Sequence, residues 1–322
     1  MSNLELKPLR EFHHLDETTF LRDVIGAHQP CVLRGFVKHW PSAQQASAEA
    51  TYRYLKNLDN GAAVDVILIP PQEDGRIFYN ETLDGFNFLR NKLSISAVLD
   101  QIMRYSQFDQ APSLAIQSAL IAECLPGFLV DNVLPFMSEH IAPRIWLGNK
   151  VTTPAHIDTS YNIACVVSGK RRFTIFPPDQ VANLYIGPLD FAPTNSPISL
   201  VSFKQPDFQQ FPRFKQALEH ALVAELEPGD AVYIPTLWWH HVESLSKFNV
   251  LINYWWGGSI RTEQAPNTPF ECLVHSLTNL KQLPPDQRAA WGVLFQHYVF
   301  SKDDPAAHIP PHRRGVMDGR TE

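Results

Sequence analysis

Short β-prone segments dominate the second half of the 322-residue chain and restrict its fold more than any other feature. From Arg144 onward, brief runs of apolar and β-branched residues alternate with turns rich in Gly, Pro and Asn. The predicted strands are Arg144–Gly148, Asn162–Val167, Arg171–Phe176, Ile198–Phe203, Leu222–Leu226, Ala231–Ile234, His240–Glu243 and Asn249–Trp256. Short strands with such turns between them are typical of a double-sheet jelly roll. We therefore predict a mainly β fold with flanking helices.

Residues 1–140 combine helical and strand-like segments. The spacing of apolar residues predicts helices over Ala43–Leu58 and Ile95–Tyr105 and a strand over Val64–Ile69. We interpret this region as an N-terminal α/β support for the roll and not as an independent domain. One domain is therefore predicted over residues 1–265.

The end of the chain has a different pattern. Thr268–Leu283 and Asp286–Phe300 have helical spacing, and Pro284-Pro285 separates them. We predict a C-terminal helical pair over residues 266–300 and a polar, mobile tail over residues 301–322.

Composition and charge exclude several classes of protein. The net charge is -6, and the basic run Lys170-Arg171-Arg172 is short, which argues against a general nucleic-acid binder. No window of the sequence reaches the apolar length of a membrane-spanning helix, and the N-terminus does not resemble a signal peptide. The 4 cysteines are scattered without a C-x-x-C pair, which favours reduced thiols in a cytoplasmic protein.

The segment Thr153-Pro154-Ala155-His156-Ile157-Asp158 places an imidazole and a carboxylate two residues apart. Side chains at this spacing on a strand point the same way, so both could reach one metal ion. A His-x-Asp pair by itself is more often a structural hydrogen bond than a ligand pair. A third candidate ligand follows two tryptophans in Trp238-Trp239-His240-His241-Val242. Two histidines and a carboxylate form the facial triad of non-haem iron(II) oxygenases.

The residues alone leave two choices open. His240 and His241 are adjacent on a predicted strand and face opposite ways, so only one of them can join the metal site. An open iron site also needs a second substrate that carries electrons, and 2-oxoglutarate would need a cation for its far carboxylate. Lys170, Arg171 or Arg172 could supply this cation at the start of a strand. Arginine suits the role best because it can bind a carboxylate in a bidentate way.

Several motifs together resemble the Jumonji-C hydroxylases of the cupin-8 type. They are Thr153–Asp158, Gly169-x-Arg171-Arg172, Phe176-Pro177-Pro178-Asp179-Gln180, and Pro228-Gly229-Asp230-Ala231-Val232-Tyr233-Ile234-Pro235 running into Trp238–Leu245. The resemblance extends from about Pro30 to Phe300. It implies a double-stranded β-helix, iron(II), 2-oxoglutarate, O2 and hydroxylation of a protein or peptide side chain.

The resemblance also assigns roles to individual residues. It implies His156, Asp158 and His240 as iron ligands, because the family's third ligand directly follows the paired tryptophans. Residues on family positions near 2-oxoglutarate are Thr153, Asn162, Arg171 and Asn253, and Gln117 and Trp255 match family positions on the substrate side. Trp239 is also predicted to line the substrate side, as part of an aromatic wall with Trp238 and Trp255. The C-terminal helices correspond to a dimerisation element, which predicts a homodimer.

The chain also departs from the family pattern. Arg171 replaces the lysine that holds the far carboxylate, and Ala115 aligns with a tyrosine that assists it. A pair that binds the target residue falls at Pro197-Ile198. These differences keep two alternatives open, namely a cupin-like metal-binding module without turnover and a small-molecule dioxygenase or hydroxylase.

Overall fold

Two β-sheets form the centre of the computed structural model, which describes residues 6–137, 140–194, 196–257 and 268–318. The strands are β1 Lys7–Pro8, β2 Arg10–His13, β3 Cys31–Arg34, β4 Val64–Ile69, β5 Leu89–Leu93, β6 Ser113–Leu120, β7 Arg144–Gly148, β8 Thr152–His156, β9 Tyr161–Ser168, β10 Arg171–Phe176, β11 Leu222–Leu226, β12 Ala231–Ile234, β13 Trp239–Ser244 and β14 Asn249–Trp256. The 5-stranded sheet has the order β1-β11-β10-β13-β8, and the 9-stranded sheet has the order β2-β3-β12-β9-β14-β7-β6-β4-β5.

This architecture confirms the predicted strand-rich, jelly-roll-like fold with flanking helices. The α-helices are α1 Glu17–Thr19, α2 Ala48–Leu58, α3 Ile95–Tyr105, α4 Ile121–Cys124, α5 Phe128–Asp131, α6 Phe214–Glu219, α7 Pro269–Leu280 and α8 Pro285–Tyr298, and a π-helical turn covers Phe20–Ile25. The strand predicted over Ile198–Phe203 is wrong. Only single bridges form there, from Ile198 to His156 and from Ser199 to Ile186, because this segment divides its contacts between two partners.

Apolar side chains from both sheets meet in one buried cluster. Phe173 and Ile175 enter it from β10, and Val166 and Val232 enter it from β9 and β12. Because side chains alternate along a strand, each of these strands also presents a second face. Burial of these inward faces holds the two sheets against each other.

The outward face of the 9-stranded sheet is covered mainly by helices of the N-terminal region. α2 begins at an N-cap, Ser47, and α3 begins at Ser94, whose hydroxyl accepts from the Ala97 N–H. Leu55 of α2 and Leu99 of α3 are fully buried in the cluster on this face. The N-terminal strands β2 to β6 belong to the same sheet.

The chain divides into two compact units, Met1–Trp256 and Gly257–Glu322. The predicted boundary at 265/266 falls outside the described residues. Within the second unit, α7 begins at a capping box in which Thr268 and Glu271 satisfy each other's backbone N–H groups. Among the described residues, no helix is both long and apolar enough to cross a bilayer.

Candidate metal centre

Strand pairing brings the two histidines of the candidate triad together. β8 and β13 are antiparallel neighbours, and His156 stands directly opposite His240. Their ring centroids are 4.1 Å apart. His240 Nε2 lies 3.5 Å from Asp158 Oδ2. One ligand atom from each of the three residues lies within 4.8 Å of the other two, so the three could hold one metal ion.

Backbone carbonyls orient both imidazoles. His156 Nδ1 donates to the Pro154 carbonyl at 2.9 Å, and His240 Nδ1 donates to the Trp238 carbonyl at 3.0 Å. A carbonyl can only accept, so Nδ1 carries the proton and the Nε2 lone pair of each ring is free. This is the usual way in which proteins fix the tautomer of a metal-binding histidine.

A local irregularity in the sheet gives His156 its position. The pairing of β13 with β8 shifts between His240 and Val242, so that Pro154 and Ala155 together stand opposite His241. A proline lacks the N–H that a regular ladder needs, and it is tolerated at such a bulge. The strand ends at His156.

Asp158 therefore lies just beyond the strand and not on it as predicted. Its carbonyl accepts from the Leu237 N–H at 2.9 Å, which ties it to the segment before β13. Its Oδ2 accepts from Asn162 Nδ2 at 3.0 Å and from Trp255 Nε1 at 3.1 Å. Asn253 Nδ2 in turn donates to Asn162 Oδ1 at 2.7 Å. The backbone of Asp158 is thus held by a loop contact, and its carboxylate is held by two side-chain donors.

Burial keeps His156 neutral. Loss of hydration is the main cause that lowers its pKa, and the neighbouring His240 adds to this effect. A neutral imidazole offers the lone pair that a metal ion requires.

His241 faces the opposite side of β13. Its ring stacks on Phe203, with centroids 4.1 Å apart and an interplanar angle of 14°. Burial, followed by the charge of Arg76, lowers the pKa of His241 to about 3. The structure thus brings His240, and not His241, to His156 and Asp158.

Of the three consecutive basic residues, Lys170 and Arg172 point to the surface and Arg171 points inward, because side chains alternate along an extended chain. Lys170 pairs with Glu227, and Arg172 pairs with Glu225 at 2.6 Å, both at exposed positions. Arg171 is only 8% exposed, and its Nε has no hydrogen-bond partner in the described part of the chain. Burial lowers the pKa of Arg171 to about 10, so its guanidinium remains charged at neutral pH.

Arg171 lines two small cavities, and one of them is also lined by the triad. The metal-side cavity, of about 40 Å³, is lined by Trp146, Thr153, His156, Asp158, Asn162, Arg171, Phe173, His240, Val242, Leu251, Asn253 and Trp255. The inner cavity, of about 20 Å³, is lined by Ala115, Ile116, Gln117, Trp146, Leu147, Gly148, Asn149, Val151, Thr153, Arg171 and Ser244. A larger cavity of about 650 Å³ has Tyr105 and Lys247 in its lining and none of the triad, and it shares only Asn149 with the inner cavity.

Most of the predicted site residues line these cavities, but Trp239 does not. Trp239 packs with Ile157 and Phe176 in the cluster on the outward face of the 5-stranded sheet, because it neighbours His240 on the strand. Gln117 lies on the inner cavity. The next residue, Ser118, has a φ of 55°, where the pairing of β6 with β7 shifts.

Sequence reasoning missed Trp146. It lies on β7 between Ile145 and Leu147, which belong to the helix-covered core. Strand alternation turns Trp146 to the other face, where it lines both cavities and contacts Trp255 edge to face, with centroids 6.2 Å apart. The sequence pattern that could have indicated this role is a large residue with a polar N–H between two apolar core residues.

Comparison with known proteins gives consistent matches. The model of the cupin-like domain family matches residues 17–262. The chain is 27% identical over 266 residues to the human bifunctional peptidase and (3S)-lysyl hydroxylase JMJD7, which covers 74% of this chain and 80% of that protein.

Two further relatives match over shorter regions. JmjC domain-containing protein D of Dictyostelium discoideum is 27% identical over 230 residues, which is 68% of this chain and 49% of that protein. Human HSPB1-associated protein 1 is 31% identical over 153 residues, which is 46% of this chain and 30% of that protein. The chain therefore spans about half, or less, of the length of these two relatives.

Proposed function

We propose, from the premise that this chain belongs to the cupin-like domain family, that it is an iron(II)- and 2-oxoglutarate-dependent hydroxylase of a protein or peptide side chain. The observation that carries the proposal is the convergence of His156, Asp158 and His240 from separate strands and loops. The predicted family is confirmed by the match over residues 17–262. The name of one relative, a (3S)-lysyl hydroxylase, supports a protein substrate.

The donor set fits iron(II). Two neutral imidazole nitrogens and one carboxylate oxygen are the ligands of the facial triad, which leaves the other face of the ion for substrates. The carbonyls of Pro154 and Trp238 hold the two rings, and Asn162 and Trp255 hold the carboxylate. When bound, iron with 2-oxoglutarate and O2 supplies the oxidant that hydroxylates a C–H bond, with release of succinate and CO2.

Arg171 fits the far carboxylate of 2-oxoglutarate. A buried cation without an ion-pair partner among the described residues is costly unless a ligand supplies the negative charge. Thr153 lines both cavities, and Asn162 and Asn253 line the metal-side cavity. We propose that these three side chains and Arg171 bind and orient the cosubstrate.

The substrate side is the least defined part of the site. We propose that Trp255, which lines the metal-side cavity, faces the substrate. The substrate contact of Gln117 stays a prediction, because Gln117 lines the inner cavity, which none of the triad residues lines. A contribution of Trp239 would have to be indirect, through the packing that supports β13. The aromatic side chains among these residues would exclude water from the reacting centre.

Turnover of 2-oxoglutarate tests the function. Incubation of the full chain with iron(II), ascorbate, O2 and 2-oxoglutarate is expected to give succinate, measured by mass spectrometry, and a lysine-containing peptide library is expected to gain 16 Da on one residue type. The matched control is the His156→Ala chain, which should give background succinate only. Metal binding without succinate release would favour the non-catalytic module. Activity that persists without 2-oxoglutarate would favour a dioxygenase that needs no cosubstrate.

We also propose that the chain forms a homodimer through its C-terminal helices. Apolar side chains of α7 and α8 are exposed, and they include Leu273, Leu277, Trp291, Leu294 and Tyr298. Exposed apolar patches of this kind mark association surfaces. The double variant Trp291→Glu, Leu294→Glu is expected to halve the mass measured by light scattering, whereas Gln287→Glu on the same helix should not. A monomer mass for the wild-type protein would contradict the proposal.

We also propose that the protein is cytoplasmic. Cys31, Cys124 and Cys165 are buried free thiols, and Cys272 is an exposed free thiol. Free thiols persist in reducing compartments.

A further inference from the structure

Two buried N–H donors belong to residues that line the inner cavity, and they have no hydrogen-bond partner among the described residues. They are Nε1 of Trp146 and Nε of Arg171. Trp146 and Arg171 also line the metal-side cavity, so both residues border both cavities. Buried donors are nearly always paired in native structures, and an orphaned donor therefore indicates a missing acceptor.

The neighbouring indole, that of Trp255, differs from Trp146 because its N–H has a hydrogen-bond partner. Trp255 meets Trp146 edge to face, with an interplanar angle of 86°. Trp255 Nε1 donates to Asp158 Oδ2 at 3.1 Å, so its hydrogen-bonding capacity is used within the metal site. The indole N–H of Trp146, by contrast, has no acceptor among the described residues.

The position of the orphaned donors identifies which end of a ligand they would meet. None of the three candidate metal ligands lines the inner cavity, which contains Ala115, Gln117 and Ser244 beside Arg171. The inner cavity is therefore the end away from the metal. Ala115 offers no side-chain donor to this cavity.

We infer that Trp146 is a cosubstrate-binding residue, whose indole N–H and the Arg171 guanidinium together bind the far carboxylate of 2-oxoglutarate. A carboxylate has two oxygens with several lone pairs, so it can accept from an arginine and from an indole at the same time. Such a contact satisfies both orphaned donors and adds a charge-assisted hydrogen bond. This inference rests on the proposed function.

Binding measurements without turnover test the inference. The full chain loaded with redox-inert zinc(II) would be titrated calorimetrically with 2-oxoglutarate and with 2-oxopentanoate, which has the same length but lacks the far carboxylate. Trp146→Phe is expected to raise the Kd of 2-oxoglutarate about tenfold or more and to leave that of 2-oxopentanoate within about twofold. The matched control is Trp40→Phe, which removes another buried indole donor, bonded to the Val133 carbonyl at 2.8 Å.

A second measurement keeps the inference testable if Trp146→Phe folds poorly. The chain has 7 tryptophans, so a 15N-labelled sample resolves few indole signals. One of them should move downfield with 2-oxoglutarate but not with 2-oxopentanoate, and Trp146→Tyr should lack it.

The possible outcomes separate the two proposals. Equal weakening of both ligands would assign Trp146 a packing role, and an unchanged Kd for 2-oxoglutarate would overturn the inference directly. An unmodified chain that does not bind 2-oxoglutarate at all would instead overturn the proposed function.

Discussion

The chain with His240→Ala is expected to lose its iron and all measurable turnover. Within the described part of the chain, three side chains offer ligand atoms at the centre, and His240 is 3% exposed, so water does not readily replace it. Changes to residues that merely support metal ligands cost about 10–100-fold in metal affinity or activity, and loss of a ligand should exceed about 100-fold. Iron content by mass spectrometry and succinate release measure the two effects.

His241→Ala is the matched control for this experiment. It removes the same side chain one residue along the strand, where the ring stacks on Phe203 and not on His156. Its expected effect is a loss of stability of about 2–4 kcal/mol from the cavity it leaves, with iron content preserved in the folded fraction. Iron loss in the His241 variant and retention in the His240 variant would mean that the other imidazole is the ligand.

Arg171→Met is expected to weaken 2-oxoglutarate binding by about 30-fold or more, because truncating one member of a buried charge pair costs about 2–5 kcal/mol. The same change should raise the stability of the ligand-free protein. Arg171 is buried without an ion-pair partner in the described part of the chain, so an apolar side chain of similar length removes a desolvated charge. Thermal unfolding with and without 2-oxoglutarate measures both effects.

Its two neighbours on the chain provide the controls. Lys170→Ala and Arg172→Ala remove exposed charges that pair with Glu227 and Glu225, so neither should change the Kd of 2-oxoglutarate by more than about twofold. Arg171→Lys retains a cation and should bind more tightly than Arg171→Met. If Lys170→Ala or Arg172→Ala weakens binding as strongly as Arg171→Met, the far carboxylate is held elsewhere.

Local sequence patterns were sufficient for most of the fold. Arg144–Gly148, Arg171–Phe176 and Asn249–Trp256 form strands with the predicted bounds. Their alternation and turn chemistry are local properties, which a single sequence displays directly. Ile198–Phe203 has the same composition but no continuous partner strand, and composition alone does not reveal whether a partner is present.

The sequence by itself determined the residue types of the site and the family, because His156, Asp158 and the Trp-Trp-His-His run lie within short, specific motifs. Only the tertiary structure decided which neighbour faces the centre. The alternation of side chains along a strand predicts that His240 and His241 point apart. The pairing of β13 with β8 decides which of the two faces the metal centre. The same holds for the selection of Arg171 among the three basic residues. It also holds for the indole N–H of Trp146, which has no partner within the described ranges, because this depends on the packed interior and not on a single segment.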